Sequence, residues 1–277
     1  MPSLFLYLVD ADALMNEPRP LLKEVESWFE KTGLPLELAT AAAFTKAGFT
    51  VEHSSVYADP RSEKSREIDV IAHTRDPMGM IQIYGVVECK SSKNPWIVLV
   101  DRRLEAGVTY ASLGVISENV KDMLSAEMLL ARHDLGWRLK SLLSGGYSLR
   151  QAFCKDNDPA YAAAMSATNA ATALLTKTQY ATPRLCFAFP MIVVDAPIFE
   201  CHLDDEGALQ FRQVVATEFL FTAYVPERTA AMIRIVSAEA LPQFSGMLFR
   251  LADTIKVALK PHVSKLIASR FFDPKSE

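Results

Sequence analysis

Hydrophobic positions along this chain switch between two periods, one helical and one extended. Leu22, Val25, Trp28 and Phe29 recur at helical spacing with charges on the opposite side, so residues 21–31 read as a helix ended by Gly33. Pro35 sits at the favoured first-turn position of a second helix. Its residues Leu36, Ala39, Ala43 and Phe44 can pack inward, and Gly48 closes it. The pattern then becomes extended over residues 49–58, roughly 67–74 and roughly 81–91, with Asp76-Pro77-Met78-Gly79 as the turn between the last two. Leu4 to Val9 is a further short apolar run that could be a strand.

Beyond Trp96 helical spacing returns. Val120, Met123, Leu124, Met128 and Leu129 form one stripe, Trp137, Leu139, Leu142 and Leu143 continue it, and Gly145-Gly146 breaks it. Residues 102–150 are therefore expected to be mainly helical, with the Met and Leu stripe as core. The Ala-rich stretch 160–178 predicts a helix that lies close on a sheet. Leu185 to Val194 predicts a strand buried on both faces, with Pro190 marking a bulge or interruption near its middle. Strands are expected at 199–203 and 209–217 around the Asp204-Asp205-Glu206-Gly207 turn, with 219–224 continuing the second, and at 232–236. An amphipathic helix over 241–259 is expected to stop at Pro261.

The chemistry gathers on the central strand pair. If the loop is Pro77 to Met80, antiparallel counting puts Asp69 opposite Glu88, and Lys90 shares the face of Glu88. Like charges facing each other destabilise a sheet. A cation between the carboxylates would remove that cost, and oxygen ligands suit Mg²⁺ or Mn²⁺. The plainer reading is a structural ion-pair cluster of Asp69, Glu88 and Lys90.

Asp69 followed by Glu88-Cys89-Lys90 on the next strand resembles the PD-(D/E)xK nuclease superfamily, the restriction-endonuclease-like fold. The likeness covers residues 35–96, with 160–196 as its second part. It implies an α/β fold with a core of helix, three strands, helix and strand (αβββαβ). In that frame residues 1–34 are an N-terminal extension and 35–277 the nuclease-like domain. Residues 98–158 are then a helical insertion, and 197–277 a C-terminal extension of strands and a helix. The resemblance implies a metal-dependent phosphodiester hydrolase, an endonuclease acting on nucleic acid and on DNA first. It implies Asp69 and Glu88 as metal ligands with the Cys89 backbone carbonyl, and Lys90 as the catalytic cation. Glu37, in the first core helix, either leans toward the metal, as in many members, or complements the helix dipole. A polar residue of the 160–178 helix often joins such sites; Asn169 and Lys177 are the candidates.

Composition narrows the partners. Half the residues are apolar, 22% are charged and the formal net charge is -4, so any nucleic-acid contact must come from a local basic patch. The loop 59–66, with three basic residues and one acid after Asp59, either contacts phosphate or is a solvated connection; Lys93 lies nearby. Lys256, Lys260, His262, Lys265 and Arg270 make the tail basic. Cys89, Cys154, Cys186 and Cys201 form no C-x-x-C pair, which argues against a zinc site and a disulfide framework. No apolar run is long enough to span a bilayer, and the N-terminus lacks the basic flank of a signal peptide, so a cytoplasmic protein without membrane contact is expected. Two copies pairing their sites could cut two strands, so a homodimer is compatible with this reading. The alternative is a catalytically silent nuclease-fold protein that serves as a nucleic-acid-binding or protein-interaction module.

Overall fold

The computed structural model describes residues 20–59, 62, 64–101, 114–123, 145–154, 159–179, 184–225 and 227–271. Among the described residues the fold is mixed α/β, an eleven-stranded, mostly open sheet with five helices. In chain order the elements are α1 (Pro20–Phe29), α2 (Leu34–Ala47), β1 (Thr50–Ala58), β2 (Ser65–Arg75), β3 (Ile81–Lys90), β4 (Trp96–Val100) and β5 (Val115–Ile116). There follow α3 (Glu118–Met123), β6 (Gly146–Gln151), α4 (Pro159–Gln179), β7 (Leu185–Val194) and β8 (Ile198–Leu203). The chain ends with β9 (Leu209–Val214), β10 (Ala216–Val225), β11 (Glu227–Ser237) and α5 (Leu241–Phe271).

The strand order is β1-β2-β3-β7-β11-β10-β6-β4-β8-β9, with β5 pairing β7 off this path. β1, β2 and β3 form an antiparallel meander, and β7 then lies parallel to β3 over its full length. α4 crosses from one side of the sheet, packing Ala170, Ala171 and Leu175 against Tyr84, Val86 and Cys186. α2 and α5 cover the other face, where Phe44, Leu248 and Leu251 meet Ile83, Val87 and Phe187. Being covered on both faces, β3 and β7 are buried almost throughout, so their sequences run apolar instead of alternating.

α2 has the bounds its sequence predicts. Pro35 lies in its first turn, and Gly48 at φ 108° caps it, its N–H bonding the last turn's carbonyls. A side chain at Gly48 would come within 2.9 Å of the Phe249 ring, so the same glycine also admits α5.

Several expectations fail for identifiable reasons. Of the stretch 98–158 expected as a helical insertion, the described residues place 98–100 in β4, 115–116 in β5, 118–123 in α3 and 146–151 in β6, while 102–113, 124–144 and 155–158 lie outside the described residues. Val98 and Val100 of β4 and Leu149 of β6 alternate toward a core beneath α4. Residues 4–9, and most of the stripe 120–143, lie outside the described residues. β7 passes through Pro190 without a break, pairing it with Val86. On its other side β7 pairs β5 up to Ala188 and β11 from Met191, so the proline falls between partners. α5 likewise continues past Pro261, because Ile255, Leu259 and Val263 extend one buried stripe whose packing offsets a proline cost of about 3 kcal/mol. Residues 216–225 do not continue β9 but form β10, in register with β11. On α1 the apolar side is not buried: Leu22, Val25 and Trp28 are exposed. No helix among the described residues is long and apolar enough to cross a membrane.

Among the described residues the two halves of the sheet are joined by one ladder pair, Phe219↔Gly146, between β10 and β6. A Cβ at Gly146 would sit 2.1 Å from the Glu218 carbonyl oxygen and 2.9 Å from Val98. Gly146→Ala should therefore cost about 3 kcal/mol or more, at or beyond the usual range for overpacking. Gly79→Ala meets nothing within 4 Å and bears only its φ of 69°, so it should cost about 1 kcal/mol. Urea midpoints at unchanged m-value measure both; equal losses would contradict this account of the seam.

Candidate active site

Regular pairing stops at one residue, Asp69. The β2–β3 ladder runs from Arg75↔Gln82 to Val70↔Val87, and continuing that count by one puts Asp69 opposite Glu88, the register the sequence predicts. The backbones do not pair there. Instead the Cys89 N–H donates to Asp69 Oδ2 at 2.6 Å. On the other side the β1–β2 ladder omits Ser54, which by the same counting stands opposite Asp69. Ser54 has a φ of 49°, a left-handed conformation uncommon for a side chain larger than glycine's. Ile68 and Ile71 both reach the core beneath α4 although they lie three positions apart, while Val70 and Ala72 face α2 and α5. A regular strand cannot do this, so the alternation of β2 changes at Asp69. Backbone strain of this kind collects at functional sites.

β3 meanwhile carries on beside β7 to Lys90↔Val194. It presents Glu88 and Lys90 on the α4 side and Cys89 toward α2. Glu88 is 7% exposed. Its Oε1 lies 2.5 Å from Lys90 Nζ, and its Oε2 accepts from Ser166 Oγ of α4 at 2.7 Å. Cys89 Sγ points the other way and donates to Thr40 Oγ1 of α2 at 3.5 Å; burial pushes its thiol up to about 12, so it is an inert core group. Just past the strand ends, Ser91 Oγ and the Ser92 N–H both donate to Asp195, tying the exit of β3 to that of β7. The site thus lies at the carboxyl ends of two parallel strands, where open α/β sheets commonly bind ligands.

Electrostatics mark the cluster as short of positive charge. Desolvation raises the proton affinity of Glu88 most, and Asp69 adds to it, against the pull of Lys90. Burial also raises Asp69, opposed by the Cys89 N–H and Lys90. Glu37, in the first turn of α2, is raised by its own desolvation and by the fields of Asp69, Glu67 and Glu88. For Lys90 the two carboxylates outweigh desolvation, so it holds its proton more firmly than a free lysine. One ammonium therefore serves three carboxyl groups.

The structure brings Asp69, Glu88 and Lys90 together and sets Glu37 within their field. Asn169 is buried and lies one turn along α4 from Ser166, but no contact joins it to the carboxylates; the Lys177 side chain lies outside the described residues. Ser166 is the residue that sequence reasoning missed. Its signal was its place three residues before Asn169, on the same helix face. In the loop before β2, Arg66 Nε bonds the buried Asp59 at 2.6 Å, so one cation of that basic run has a structural partner.

The residues suit a hard divalent cation in donor chemistry: Asp69, Glu88 and Glu37 supply carboxylate oxygen and raise one another's proton affinity for want of positive charge. Among the described residues no three His, Cys, Asp or Glu side chains stand in a ligand set as they are placed. Both Glu88 oxygens are engaged, by Lys90 and by Ser166. No family model, no curated protein and no solved structure matches this chain.

An acid whose folded pKa is raised binds more protons folded than unfolded in the window between the two values, so stability falls as pH rises through it. The melting temperature should therefore drop as pH climbs from the ordinary carboxylate range toward neutrality. Glu88→Gln should flatten that slope. Glu218, a buried partner of Arg234 pushed up to about 7 by burial, contributes to the same slope in both proteins. The comparison is thus wild type against variant, and identical slopes would show that Glu88 carries no such strain.

Proposed function

We propose that this protein is a metal-dependent phosphodiester hydrolase acting on nucleic acid, with DNA as the first substrate to test, built on a restriction-endonuclease-like core. The order α2, β1, β2, β3, α4, β7 supports the αβββαβ core. The observation that carries the chemistry is the break in β2 at Asp69, which sets its carboxylate beside Glu88 and Lys90 at the end of the parallel strands. Asp69 and Glu88, with Glu37 and the Cys89 carbonyl, would hold Mg²⁺ or Mn²⁺. Such an ion supplies Lewis-acid charge at the phosphate and lowers the pKa of water.

The chain's own groups do the rest. The Cys89 N–H fixes the Asp69 carboxylate, and Ser166 fixes that of Glu88. Lys90, held protonated by both carboxylates, turns from Glu88 to the phosphate and stabilises the negative charge that develops as the bond breaks. That turn also frees Glu88 Oε1. The exposed Lys64 and Lys93 stand on the segments flanking β2 and β3 and supply local positive charge on a chain whose net charge is -4.

One observation favours the second reading, a silent nuclease-fold module that binds nucleic acid or protein. Lys90 and Ser166 already satisfy Glu88, as they would in a structural ion pair. The two readings part on variants. Lys90→Ala should keep or tighten Mn²⁺ binding, since it releases Glu88, yet lower plasmid nicking by at least about a hundredfold. Asp69→Ala should lose both. Titration calorimetry with Mn²⁺ beside a nicking assay reads this out. Equal nicking by wild type and Lys90→Ala would remove the enzyme reading, and absence of Mn²⁺ binding in wild type would favour the silent module.

A further inference from the structure

Beside the carboxylates lies a cavity of about 530 Å³ between β1, the start of β2 and the first half of α4. Its volume is in the range of sites that enclose a small ligand. Tyr57 and Met165 wall it, and Tyr161, 48% exposed, stands at its margin. Ser166 lines it too, while its Oγ bonds Glu88. Whatever fills this cavity is therefore one side chain away from the site described above.

We propose that this cavity receives one unstacked nucleobase, so that the substrate carries an unpaired nucleotide next to the bond that is cut: a flap, a gap or a single strand. This rests on the reading of the adjacent site as a nuclease. Four features fit a base. Tyr161 is half exposed, its ring in T-shaped contact with Phe221 at 5.7 Å, and stacking on aromatic rings is how unpaired bases are held. Tyr57 and Met165 give the apolar walls that a base plane needs. Asn169, 4% exposed, lines the cavity, and its amide has no hydrogen-bond partner among the described residues. An amide of this kind can pair with a base edge through one donor and one acceptor. Arg66 lies on the cavity lining with its side chain 57% exposed, and its bond to Asp59 neutralises the one acid there, so a polyanion is not repelled. A base still stacked within a duplex cannot enter such a recess without leaving its partner.

The test compares a fully paired DNA duplex with the same duplex bearing a single-stranded flap, both with Mn²⁺. Wild type should cut the flapped substrate at least about tenfold faster, the scale of one stacked base. Tyr161→Ala should remove that advantage and leave the rate on the paired duplex unchanged, whereas Tyr161→Phe should keep it. Tyr147→Ala removes an exposed tyrosine outside this cavity and is the control. Equal rates on both substrates, or a Tyr161→Ala loss that is the same on both, would overturn the proposal. If no substrate is cut in a Lys90-dependent way, the nuclease reading itself has failed. The cavity is then judged by fluorescence anisotropy with a short single-stranded oligonucleotide. Tyr161-dependent binding would sustain it, and its absence would overturn it.

Discussion

The Asp69 carboxylate takes the hydrogen bond that a backbone carbonyl of β2 would otherwise have accepted from Cys89. Everything at the site follows from that exchange. Because a side chain closes the ladder, β2 can leave β3 while β3 stays paired with β7. Because β2 leaves, Ser54 opposite it adopts a left-handed backbone, and the alternation of β2 resets between Ile68 and Val70. The gap so formed holds two acids that a continuous antiparallel ladder would have pressed against each other at a cost. Burial on three sides, by α2, α4 and β7, then makes their charge expensive and their proton affinities high.

That expense needs a reason. An ordinary sheet would place apolar or oppositely charged residues at such a position, and Lys90 alone does not balance Asp69, Glu88 and Glu37. Groups with proton affinities shifted in this way collect at functional sites, which is the ground for proposing a second cation here. The buried pair Glu218–Arg234 is a useful contrast within the same sheet. There one acid faces one base across β10 and β11, both almost fully buried, and the guanidinium lies over the Phe189 ring at 5.1 Å. Charge balance without access is what a structural pair looks like here, and the Asp69 cluster has neither.

Much of this was legible in the sequence because the signals were local. The turn Asp76 to Gly79 set the register, and Asp69 and Glu88 fall opposite each other as counting from it requires. Pro35 and Gly48 bound α2 for reasons of backbone geometry alone. What stayed hidden depends on tertiary contacts. Pro190 and Pro261 are tolerated because of which neighbours flank β7 and which stripe buries α5. β4, β5 and β6 were hidden because short buried strands carry too few residues to show a period. Ser166 was hidden in an Ala-rich helix nearly uniform in polarity, where no stripe says which side faces the carboxylates.

The central claim is that Asp69 and Glu88 share a divalent cation once Lys90 lets go of Glu88. Anomalous diffraction from crystals soaked in Mn²⁺ tests it directly. The account predicts a single strong peak between the Asp69 and Glu88 carboxylates and beside the Cys89 carbonyl, with Lys90 Nζ moved off Glu88. A site without density, with Lys90 still bonded to Glu88 at saturating Mn²⁺, would contradict it and leave the cluster as a structural ion pair.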